Sequence, residues 1–315
     1  PKFVSEGAAM YHELRKRGTG LISVITTTFD REDALDAVLR GLSRQSDRAF
    51  EVVIADDGSG PGTARLIKDW ISRLGVSLSH VWQEHRGFRA AAVRNRAIRA
   101  SHGSYCIFLD GDCIPRSDFI AAHRSLAEPG WFVAGHRILL SRALTGEVLR
   151  DRLEPETWRS GAFVRRRLRG EVNRLMPLFH LPLGPARKTH ARSWHGCRSC
   201  NLAVWRSDLD RVDGFDASYT GWGKEDSDLV VRLLHAGVRR KDGRFATGVL
   251  HLWHPEADRS QLPHNEARLG NVLGSDHVRA DCGISQCDVA NESGSMERPR
   301  AGTNATTAHS AGTGQ

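Results

Sequence analysis

The sequence predicts an α/β protein in which helices flank a mostly parallel β-sheet. Three observations support this class: strand-like and helix-like segments alternate between residues 21 and 113, the strand-like segments are apolar on both faces, and they end in polar residues. Helices cover both sides of a parallel sheet, so its strands read as continuous apolar runs. A length of 315 residues allows one large domain or two small ones, and a hydrophobic content of 40% excludes a disordered chain.

Apolar spacing predicts the first elements in order. The segment LISVITTTFDR (21–31) is a β-branched strand that ends in a turn. The following helix, at 32–45, has apolar residues at helical spacing, namely Leu35, Val38, Leu39 and Leu42. The next elements are a strand at 50–59, a helix at 63–75, a strand at 78–84, an alanine-rich helix at 89–101 and a strand at 105–113.

The second half of the chain is less regular. Residues 142–195 are rich in arginine, proline and histidine and have weak periodicity, so we interpret them as an insert over the site. Regular periodicity resumes after this segment. It predicts a strand, a short helix and a turn at 200–216, a helix at 221–237 and a last strand at 244–256. After about residue 270 large apolar groups become rare, and such a composition cannot bury enough surface to order itself.

The net charge and the cysteine content indicate the class of partner and the cellular compartment. The 45 basic and 37 acidic residues give a net charge of +8. That charge favours an anionic partner such as a nucleotide, an acidic glycan, an anionic membrane face or nucleic acid, although a solvated basic surface would carry it equally well. Six cysteines, with Cys106 inside a predicted core strand, indicate a reducing, cytoplasmic setting. No apolar run is long enough for a transmembrane helix, and residues 1–18 lack the apolar core of a signal peptide.

Two carboxylates follow the fourth strand in the stretch CIFLDGDCIP (106–115). If strand geometry continues through Gly111, Asp110 and Asp112 point the same way, because side chains at i and i+2 share a face. Two close carboxylates repel each other, and a divalent cation removes that repulsion. Their hard oxygen atoms suit Mg²⁺ or Mn²⁺ that bridges to phosphate. A solvated acidic turn is the alternative for so short a motif.

Two histidines, His251 and His254, follow the last apolar strand in the stretch HLWH and precede Pro255. Imidazole is a ligand of Mn²⁺ as well as of zinc, so either histidine could complete a site with Asp112. At i and i+3 of an extended segment they would point to opposite faces, which predicts that only one of them is a ligand. The alternative is two ordinary surface or core histidines.

The helix at 221–237 begins with carboxylates in the stretch GWGKED (221–226). Acids in a first turn favour the helix dipole in any protein. Asp226, however, precedes Leu229 and Val230 by three and four residues, so it should point into the protein or a cleft, where burial raises a carboxylate's proton affinity. That environment suits a general base. The glycines beside Trp222 would let the loop pack closely over a ligand, with the indole as a platform for a sugar ring.

Taken together, these stretches resemble the inverting glycosyltransferases of family 2, which have the Rossmann-like GT-A fold. VITTTFDR is similar to that family's first strand and nucleotide turn, VVIADDGS to its uridine-binding acidic turn, and EHRGFRAAAVRNRAI to its Gly-to-Arg-Asn helix. LDGDC resembles its Asp-x-Asp metal motif. GFDASYTGWGKEDSDLVVRL resembles a carboxyl-terminal segment shared with galactosyl- and N-acetylgalactosaminyltransferases. The resemblance covers roughly residues 20–256, and the insert at 142–195 matches no pattern.

The resemblance implies roles for the matching residues. Six residues are expected to bind the nucleotide sugar and line its cleft, namely Thr26, Thr27, Asp57, Arg94, Asp110 and Trp222. Asp57 would lie at the uracil edge, and Arg94 near the diphosphate or uracil. Asp110 would lie at the ribose or a metal-bound water, and Trp222 on the acceptor side. Asp112 is expected to bind the metal directly, with His254 as the second ligand and His251 as its alternative. Asp226 is the implied general base, and Glu225 is expected to bind the donor or acceptor sugar.

These assignments divide the chain into five segments. They are an N-terminal extension (1–18), a nucleotide-sugar-binding half (19–141), an insert that faces the acceptor or a membrane (142–195), an acceptor and catalytic half (196–256), and a C-terminal extension (257–315) that is largely disordered after about residue 285.

The function that the resemblance implies is sugar transfer with inversion, dependent on Mn²⁺ or Mg²⁺. The donor would be a UDP-sugar, of galactose or N-acetylgalactosamine, and the acceptor a hydroxyl of a glycan or lipid-linked glycan in the synthesis of bacterial surface polysaccharide or lipopolysaccharide. One alternative is a metal-dependent nucleotidyltransferase, but TTTFDR lacks the glycine of a phosphate loop. The other is a basic nucleic-acid-binding protein, but no binding module is recognisable, so we expect no nucleic-acid partner.

The segment FVRRRLRGEVNRLMPLFHL (163–181) bears on the cellular location. It either lies on an anionic membrane, with arginines outward and apolar residues inward, or forms a helix that flanks the acceptor cleft. The apolar residues in question are Phe163, Leu168, Val172, Leu175 and Met176. We therefore expect a cytoplasmic protein, with peripheral contact at the inner face of the cytoplasmic membrane as an open alternative.

Overall fold

Strands and helices alternate along the first part of the chain in the computed structural model, which describes residues 19–286. The elements are β1 (Ile22–Thr28), α1 (Glu32–Ser43), β2 (Phe50–Asp56), α2 (Pro61–Ile71), β3 (Leu78–Trp82), α3 (Ala90–Ala100) and β4 (Tyr105–Asp110). The prediction for this part is confirmed in element type and order, with ends that differ by a few residues.

The second part of the described chain contains six further strands and six further helices. They are β5 (Cys113–Pro115), α4 (Phe119–Leu126), β6 (Trp131–Ala134), β7 (Arg137–Leu139), α5 (Arg142–Arg150), α6 (Ser160–Leu168), β8 (Asn201–Trp205), α7 (Arg206–Val212), α8 (Glu225–His235), β9 (Arg239–Asp242), β10 (Val249–His251) and α9 (Leu262–Leu273). Within residues 19–286, no helix has the length and apolar character that crossing a bilayer requires.

Seven strands form one sheet in the order β3-β2-β1-β4-β8-β6-β9. The strands β3, β2, β1 and β4 run parallel to one another, β8 is antiparallel to β4 and β6, and β9 is parallel to β6. The predicted mostly parallel sheet flanked by helices is therefore confirmed. A separate three-stranded sheet has the order β5-β10-β7, and only two residues separate its strand β5 from the end of β4.

The parallel strands bury side chains on both faces. On β2, Val52 and Ile54 belong to one apolar cluster, whereas Val53 and Ala55 belong to the cluster on the other side of the sheet. Apolar side chains of α1 and α2 fill the first cluster, and those of α3 and α8 fill the second. This double burial is the physical reason that the strand sequences are apolar without alternation.

The structure differs from the sequence prediction mainly in short elements. The strands β5, β6, β7 and β9 have three or four residues each, too few to produce a periodic signal. The strand predicted at 244–256 is confined to β10, and the insert at 142–195 contains α5 and α6. The segment 163–181 is not one helix, because α6 ends at Leu168 and Gly170 follows with a positive φ of 72°.

The helix α9 lies in the predicted C-terminal extension, where no helix is predicted. Its Asn265 is fully buried and donates from Nδ2 to the backbone oxygens of Thr220 and Gly223, at 3.1 and 3.0 Å. The helix therefore supports the loop that leads into α8. The expected disorder after about residue 285 concerns residues that lie almost entirely outside the described range.

A buried ion pair fixes α8 within the second cluster. Arg232 and Asp228 are both 0% exposed, and the guanidinium donates from Nε and Nη2 to Asp228 Oδ2 at 2.8 and 2.6 Å. Its Nη1 also donates to the backbone oxygen of Val212 at 2.7 Å, which ties α8 to α7. Asp228 thus serves as the partner of a buried arginine besides lying in the first turn of the helix.

We expect Asp228→Ala to lower the free energy of unfolding by about 3 to 5 kcal/mol, because it leaves the Arg232 guanidinium buried without a counter-charge. Denaturant unfolding measures the change. The control is Asp210→Ala, which breaks the Arg206–Asp210 pair with the same i, i+4 spacing but an Asp210 side chain that is 59% exposed. That control should lose less than about 1 kcal/mol. Equal losses in the two variants would contradict the assignment.

Candidate active site

Polar side chains meet where β1, β2 and β4 end. Thr28 lies opposite Asp56 in the β1–β2 pairing, and Thr27 lies opposite Asp110 in the β1–β4 pairing. The carboxyl ends of these parallel strands are therefore level with one another. The prediction that these polar residues gather at one edge of the sheet is confirmed, and in parallel sheets this edge is where ligands bind.

Gly111 shapes the turn between the two aspartates. A Cβ on this residue would lie 2.8 Å from the Thr27 backbone oxygen and 3.2 Å from Thr28 Cβ, so a larger side chain does not fit. The strand β4 ends at Asp110, and the expectation that strand geometry continues through Gly111 is wrong. The tight contact with β1 turns the chain instead, so that Asp110 and Asp112 have separate partners.

A buried arginine joins three elements at this edge. Arg94 on α3 is 3% exposed and donates from Nε to Thr27 Oγ1 at 3.0 Å, from Nη1 to Glu225 Oε1 at 3.1 Å and from Nη2 to Asp110 Oδ1 at 3.2 Å. Its guanidinium also lies 5.3 Å from the ring centre of Phe215. The family resemblance implies that Arg94, Thr27, Asp110 and Glu225 belong to one site, and the structure brings the four together.

Burial and charge together set the protonation of this network. Burial raises the pKa of Glu225, neighbouring Asp226 raises it further, and Arg94 opposes both effects. Burial likewise raises the pKa of Asp110, with Arg94 opposing the rise and Asp112 adding to it. Although burial disfavours the charged guanidinium, Asp110 and Glu225 hold the pKa of Arg94 above its usual range. Arg94 is therefore a permanent cation that neutralises buried acids.

The candidate metal ligands lie on the other side of Asp110. His251 Nε2 is 3.7 Å from Asp112 Oδ1, and His254 Nε2 is 3.5 Å from Asp112 Oδ2. The expectation that the two histidines point to opposite faces is wrong, because β10 ends at His251 and both imidazoles lie beside Asp112. His254 Nδ1 lies 2.7 Å from the Pro255 oxygen, and donation to that carbonyl would leave Nε2 free to accept or to ligate.

The donor atoms around Asp112 fit a divalent cation. Ligands about 2.1 Å from one octahedral ion are about 3 Å apart, slightly closer than these pairs. Cys113 also contributes, since its sulfur and the ligand atoms of Asp112 and His251 all lie within 4.8 Å of one another. Burial raises the pKa of the Cys113 thiol well above its usual value, and the nearby Cys200 adds to that rise. The carboxylate and the imidazoles are therefore the better candidates.

Asp226 faces a cleft of about 590 Å³ that Arg94, Asp110, Trp222 and Glu225 also line. Asp226 is 8% exposed, as expected for a carboxylate on the apolar side of α8. Its Oδ2 accepts from the Ser199 backbone N–H at 3.4 Å, and its Oδ1 accepts from the Ser227 hydroxyl at 3.3 Å. It has no cationic partner within ion-pair distance among residues 19–286, whereas Glu225 has Arg94.

The loop before α8 carries Trp222 along the cleft. Gly221 and Gly223 both have positive φ, at 71° and 107°, and a Cβ on Gly221 would lie 2.6 Å from Gln261 Cβ. The glycines therefore let the loop pack against the start of α9, and its packing over a ligand stays a prediction. Arg259 stacks on the indole, with its guanidinium carbon 5.0 Å from the ring centre.

Three of the predicted nucleotide residues, Thr26, Thr27 and Asp57, lie outside that cleft lining. Asp57 is 5% exposed, and its carboxylate accepts from Gln83 Nε2 at 2.5 Å and from the Arg89 backbone N–H at 2.7 Å. Thr26 is fully buried on the opposite face of β1 from Thr27, and its hydroxyl has no partner among the described residues. Contact between Thr26 and a ligand at the strand end would have to involve its backbone.

Sequence reasoning missed Arg137, which also lines the cleft. Its Nη1 lies 3.8 Å from Cys200 Sγ, and no carboxylate lies within ion-pair distance of it among the described residues. Although burial opposes the charge, Cys200, Cys113 and Asp110 hold the pKa of Arg137 above its usual range. A basic residue inside the apolar run VAGHRILL is the one signal that could have identified it.

The chain matches two protein families, one after the other along the sequence. Residues 23–175 match the family described as Glycosyl transferase family 2, and residues 186–255 match the family described as N-terminal domain of galactosyltransferase. Together the two matches cover more than half of the chain. The chain belongs to the glycosyltransferases, with a family 2 domain followed by a galactosyltransferase-type segment, and its fold is GT-A.

Similar proteins are glycosyltransferases of several kinds. Validoxylamine A glucosyltransferase from Streptomyces hygroscopicus subsp. limoneus is 28% identical over 80% of this chain and 54% of its own length. Chondroitin synthase from Pasteurella multocida (strain Pm70) is 25% identical over 75% of this chain and 26% of its own length. The crystal structure of GalNAc-T7 with UDP, GalNAc and Mn²⁺ superposes with a TM-score of 0.55 at 14% identity, covering 75% of this chain and 44% of that one. The chain thus spans about half the length, or less, of these proteins.

We expect Arg94→Met to destabilise the protein more at pH 7.5 than at pH 5. The pKa of Glu225 is already raised in the folded state, so its contribution to stability is full below its unfolded pKa and is lost as the pH rises. Without Arg94 that loss grows, and removing one partner of a buried pair costs about 3 kcal/mol near neutral pH. Urea unfolding at the two pH values measures the difference, with Arg94→Lys as the charge-conserving control. The same loss at both pH values would show that Arg94 acts only by packing.

Proposed function

We propose that the protein is an inverting glycosyltransferase that moves a sugar from a UDP-sugar to a hydroxyl of a glycan acceptor. The observation that carries the proposal is one continuous arrangement: the Asp112 and histidine ligands, the Arg94 network and the unpaired Asp226 carboxylate adjoin one another at the carboxyl edge of the sheet. The diphosphate of a sugar nucleotide would lie at Asp112 and the histidines, and its reacting carbon would lie toward Asp226.

The nucleotide end of the donor would lie over β1 and β2. Asp57 would meet the uracil edge, Thr27 and Arg94 would position the ribose and diphosphate, and Asp110 would hold the ribose. Phe29 and His85 stack at 4.3 Å beside this region, and His85 Nδ1 lies 3.1 Å from the Asp57 backbone oxygen. The bound UDP in the GalNAc-T7 structure, whose fold is similar, supports UDP as the nucleotide.

Asp112, His254 and His251 would hold Mn²⁺ or Mg²⁺. When bound there, the cation would offset the negative charge that the diphosphate gains as it leaves. Arg137 lines the cleft, has no ion pair among residues 19–286, and would add to the positive potential around the diphosphate. The Mn²⁺ in the GalNAc-T7 structure supports manganese as the first ion to test.

Asp226 would act as the general base. The acceptor oxygen attacks the anomeric carbon from the side opposite the nucleotide, the bond from that carbon to the UDP oxygen breaks, and the acceptor proton passes to Asp226. One displacement inverts the stereochemistry and needs no enzyme nucleophile. Glu225, already bound to Arg94, would accept hydrogen bonds from sugar hydroxyls, and Trp222 would pack against the acceptor.

The galactosyltransferase-type segment favours galactose or N-acetylgalactosamine as the donor sugar. The names of the relatives span glucosyl transfer and chondroitin synthesis, which supports a glycan-type acceptor without fixing it. We therefore propose a surface polysaccharide or lipopolysaccharide acceptor, free or lipid-linked, in a bacterium.

We expect Mn²⁺-dependent release of UDP from a UDP-sugar, slow with water and faster with an acceptor. Asp112→Asn should reduce metal-dependent UDP binding and release by at least about 100-fold, because it removes the anionic ligand. Isothermal titration with UDP and Mn²⁺, together with a coupled UDP assay, measures both. Asp69→Asn on the exposed face of α2 is the matched control. Pyrophosphate release from a nucleoside triphosphate and a sugar phosphate would instead indicate a nucleotidyltransferase.

We expect Asp226→Asn to keep UDP–Mn²⁺ binding and to lose about 100-fold to 10,000-fold in transfer rate, because the amide cannot accept the acceptor's proton. The contrast variant is Glu225→Gln, which should change the apparent affinity for the sugar as well as the rate, since it disturbs Arg94. Normal transfer by Asp226→Asn, measured as glycan product with saturating donor, would disprove the base assignment.

A further inference from the structure

The insert carries a surface that the transfer reaction does not use. It comprises exposed arginines and exposed apolar side chains between residues 159 and 176, and we term it the arginine surface. Its members are Arg159, Val164, Arg165, Arg167, Leu168, Arg169, Arg174 and Met176. Leu168 is 84% exposed, Met176 55% and Val164 43%. Val164 and Leu168 are four residues apart on α6 and therefore share one face of that helix.

The segment behind this surface is fixed to the protein. Phe163 and Val172 are buried in the first apolar cluster, and Val172 forms an antiparallel bridge with Leu140 directly after β7. The expectation that Phe163 and Val172 belong to a membrane-facing side is therefore wrong, because the apolar core takes both. Leu168 and Met176 from the same expected set remain outside.

The arginines of this segment divide into two kinds. Arg166 bonds Glu147 and Glu171 at 2.7 to 3.0 Å, and those contacts raise its pKa. The other arginines of the segment are exposed, and none has an acidic partner among residues 19–286. The paired residue stabilises the segment, and its neighbours present uncompensated positive charge to the solvent. This part of the surface would attract a polyanion or an anionic interface.

We propose that the arginine surface binds an anionic lipid bilayer. Arginines would meet the phosphate headgroups, and Leu168, Val164 and Met176 would enter the boundary between headgroups and acyl chains. The mixture favours a bilayer over nucleic acid, because aliphatic side chains have no partner on a phosphate backbone and no exposed aromatic residue for base stacking lies among these residues. The proposal goes beyond sugar transfer and does not depend on it.

The arginine surface is also linked to the strands that carry the candidate metal ligands. Residues 171–173 hydrogen-bond to residues 139–141 at the end of β7, since Asn173 N donates to Leu139 O at 3.1 Å and Ser141 N donates to Glu171 O at 2.8 Å. The strand β7 pairs with β10, which ends at the candidate ligand His251. The arginine surface is therefore attached to the same small sheet as the metal site, so docking would hold that site near the bilayer.

The test is co-sedimentation of the full chain with vesicles of phosphatidylcholine alone and of phosphatidylcholine mixed with phosphatidylglycerol. We expect binding only to the anionic vesicles, and weaker binding as salt is added. The combined change Arg165→Gln, Arg167→Gln and Arg169→Gln should weaken it at least about tenfold. Leu168→Glu should also weaken it. The affected side chains are exposed, so circular dichroism and thermal unfolding should be unchanged.

The matched controls lie on α2, where Arg65, Lys68 and Ile71 are exposed. Arg65→Gln with Lys68→Gln, and Ile71→Glu separately, should leave vesicle binding unchanged. Absence of binding to anionic vesicles would overturn the proposal, and so would equal loss in the control variants. Loss of binding to a single-stranded oligonucleotide, with vesicle binding intact in the arginine variant, would assign the surface to nucleic acid instead. UDP release in the absence of vesicles serves as a separate readout of the transfer site.

Discussion

The candidate site depends on one buried cation. Arg94 lies among three carboxylates, of Asp110, Glu225 and Asp226, which would repel one another in a desolvated cleft. Because Asp110 ends β4 and Glu225 begins α8, the Arg94 guanidinium also joins the family 2 domain to the galactosyltransferase-type segment. The two parts of the chain would otherwise present like charges to each other. A nearby cation offsets much of the free-energy cost of burying these acids.

In each acidic motif, Arg94 forms an ion pair with one of the two acids and none with the other. In the first motif, Asp110 pairs with Arg94, and Asp112 is left to face His251 and His254. In the second motif, Glu225 pairs with Arg94, and Asp226 has only weak hydrogen bonds.

The same division therefore occurs twice: one acid of each adjacent pair secures the site, and the other is free for a ligand or a proton. A general base needs this freedom, because an ion pair holds a carboxylate in its deprotonated form and weakens it as a proton acceptor.

Much of this arrangement was predictable from sequence because its strands are long. The strands β1, β2 and β4 have six or seven residues each and are rich in apolar and β-branched residues, and parallel pairing then forces Thr27, Asp57 and Asp110 to one edge. The pairing of Arg94 with both Asp110 and Glu225 was not predictable without the family resemblance. It joins residues 131 positions apart, and no local pattern reports such a contact.

The wrong predictions of side-chain direction share a different cause, since they occur where the backbone departs from regular strand geometry. The periodicity rule for i and i+2 does not apply to Asp110 and Asp112, because β4 stops at the first of them. The rule for i and i+3 does not apply to His251 and His254, because β10 stops at His251. In each case the ligand-bearing residue follows the end of a strand, where the backbone is free to turn side chains together.

The small sheet β5-β10-β7 explains why these irregular ends nevertheless converge. His251 pairs with Cys113 on one side and with Leu139 on the other, so Asp112, next to Cys113, is held beside the imidazole. Two residues before Leu139 on β7, Arg137 is paired with Val249 and lines the cleft that Asp226 faces. Each strand has only three residues, yet together they place a carboxylate, an imidazole and an arginine around one point.

Short strands of this kind gain little stability by themselves, and the structure supports them from outside. Residues 171–173 of the insert continue the hydrogen bonding beyond β7, and Phe163 and Val172 anchor that segment in the apolar core. The insert thus braces the sheet that carries the candidate metal ligands. The arginines of the arginine surface have no acidic partner among residues 19–286, because Arg166 pairs with both Glu147 and Glu171. Although the insert has weak periodicity, most of it falls within the two matched family regions, and it connects the site to the surface of the protein.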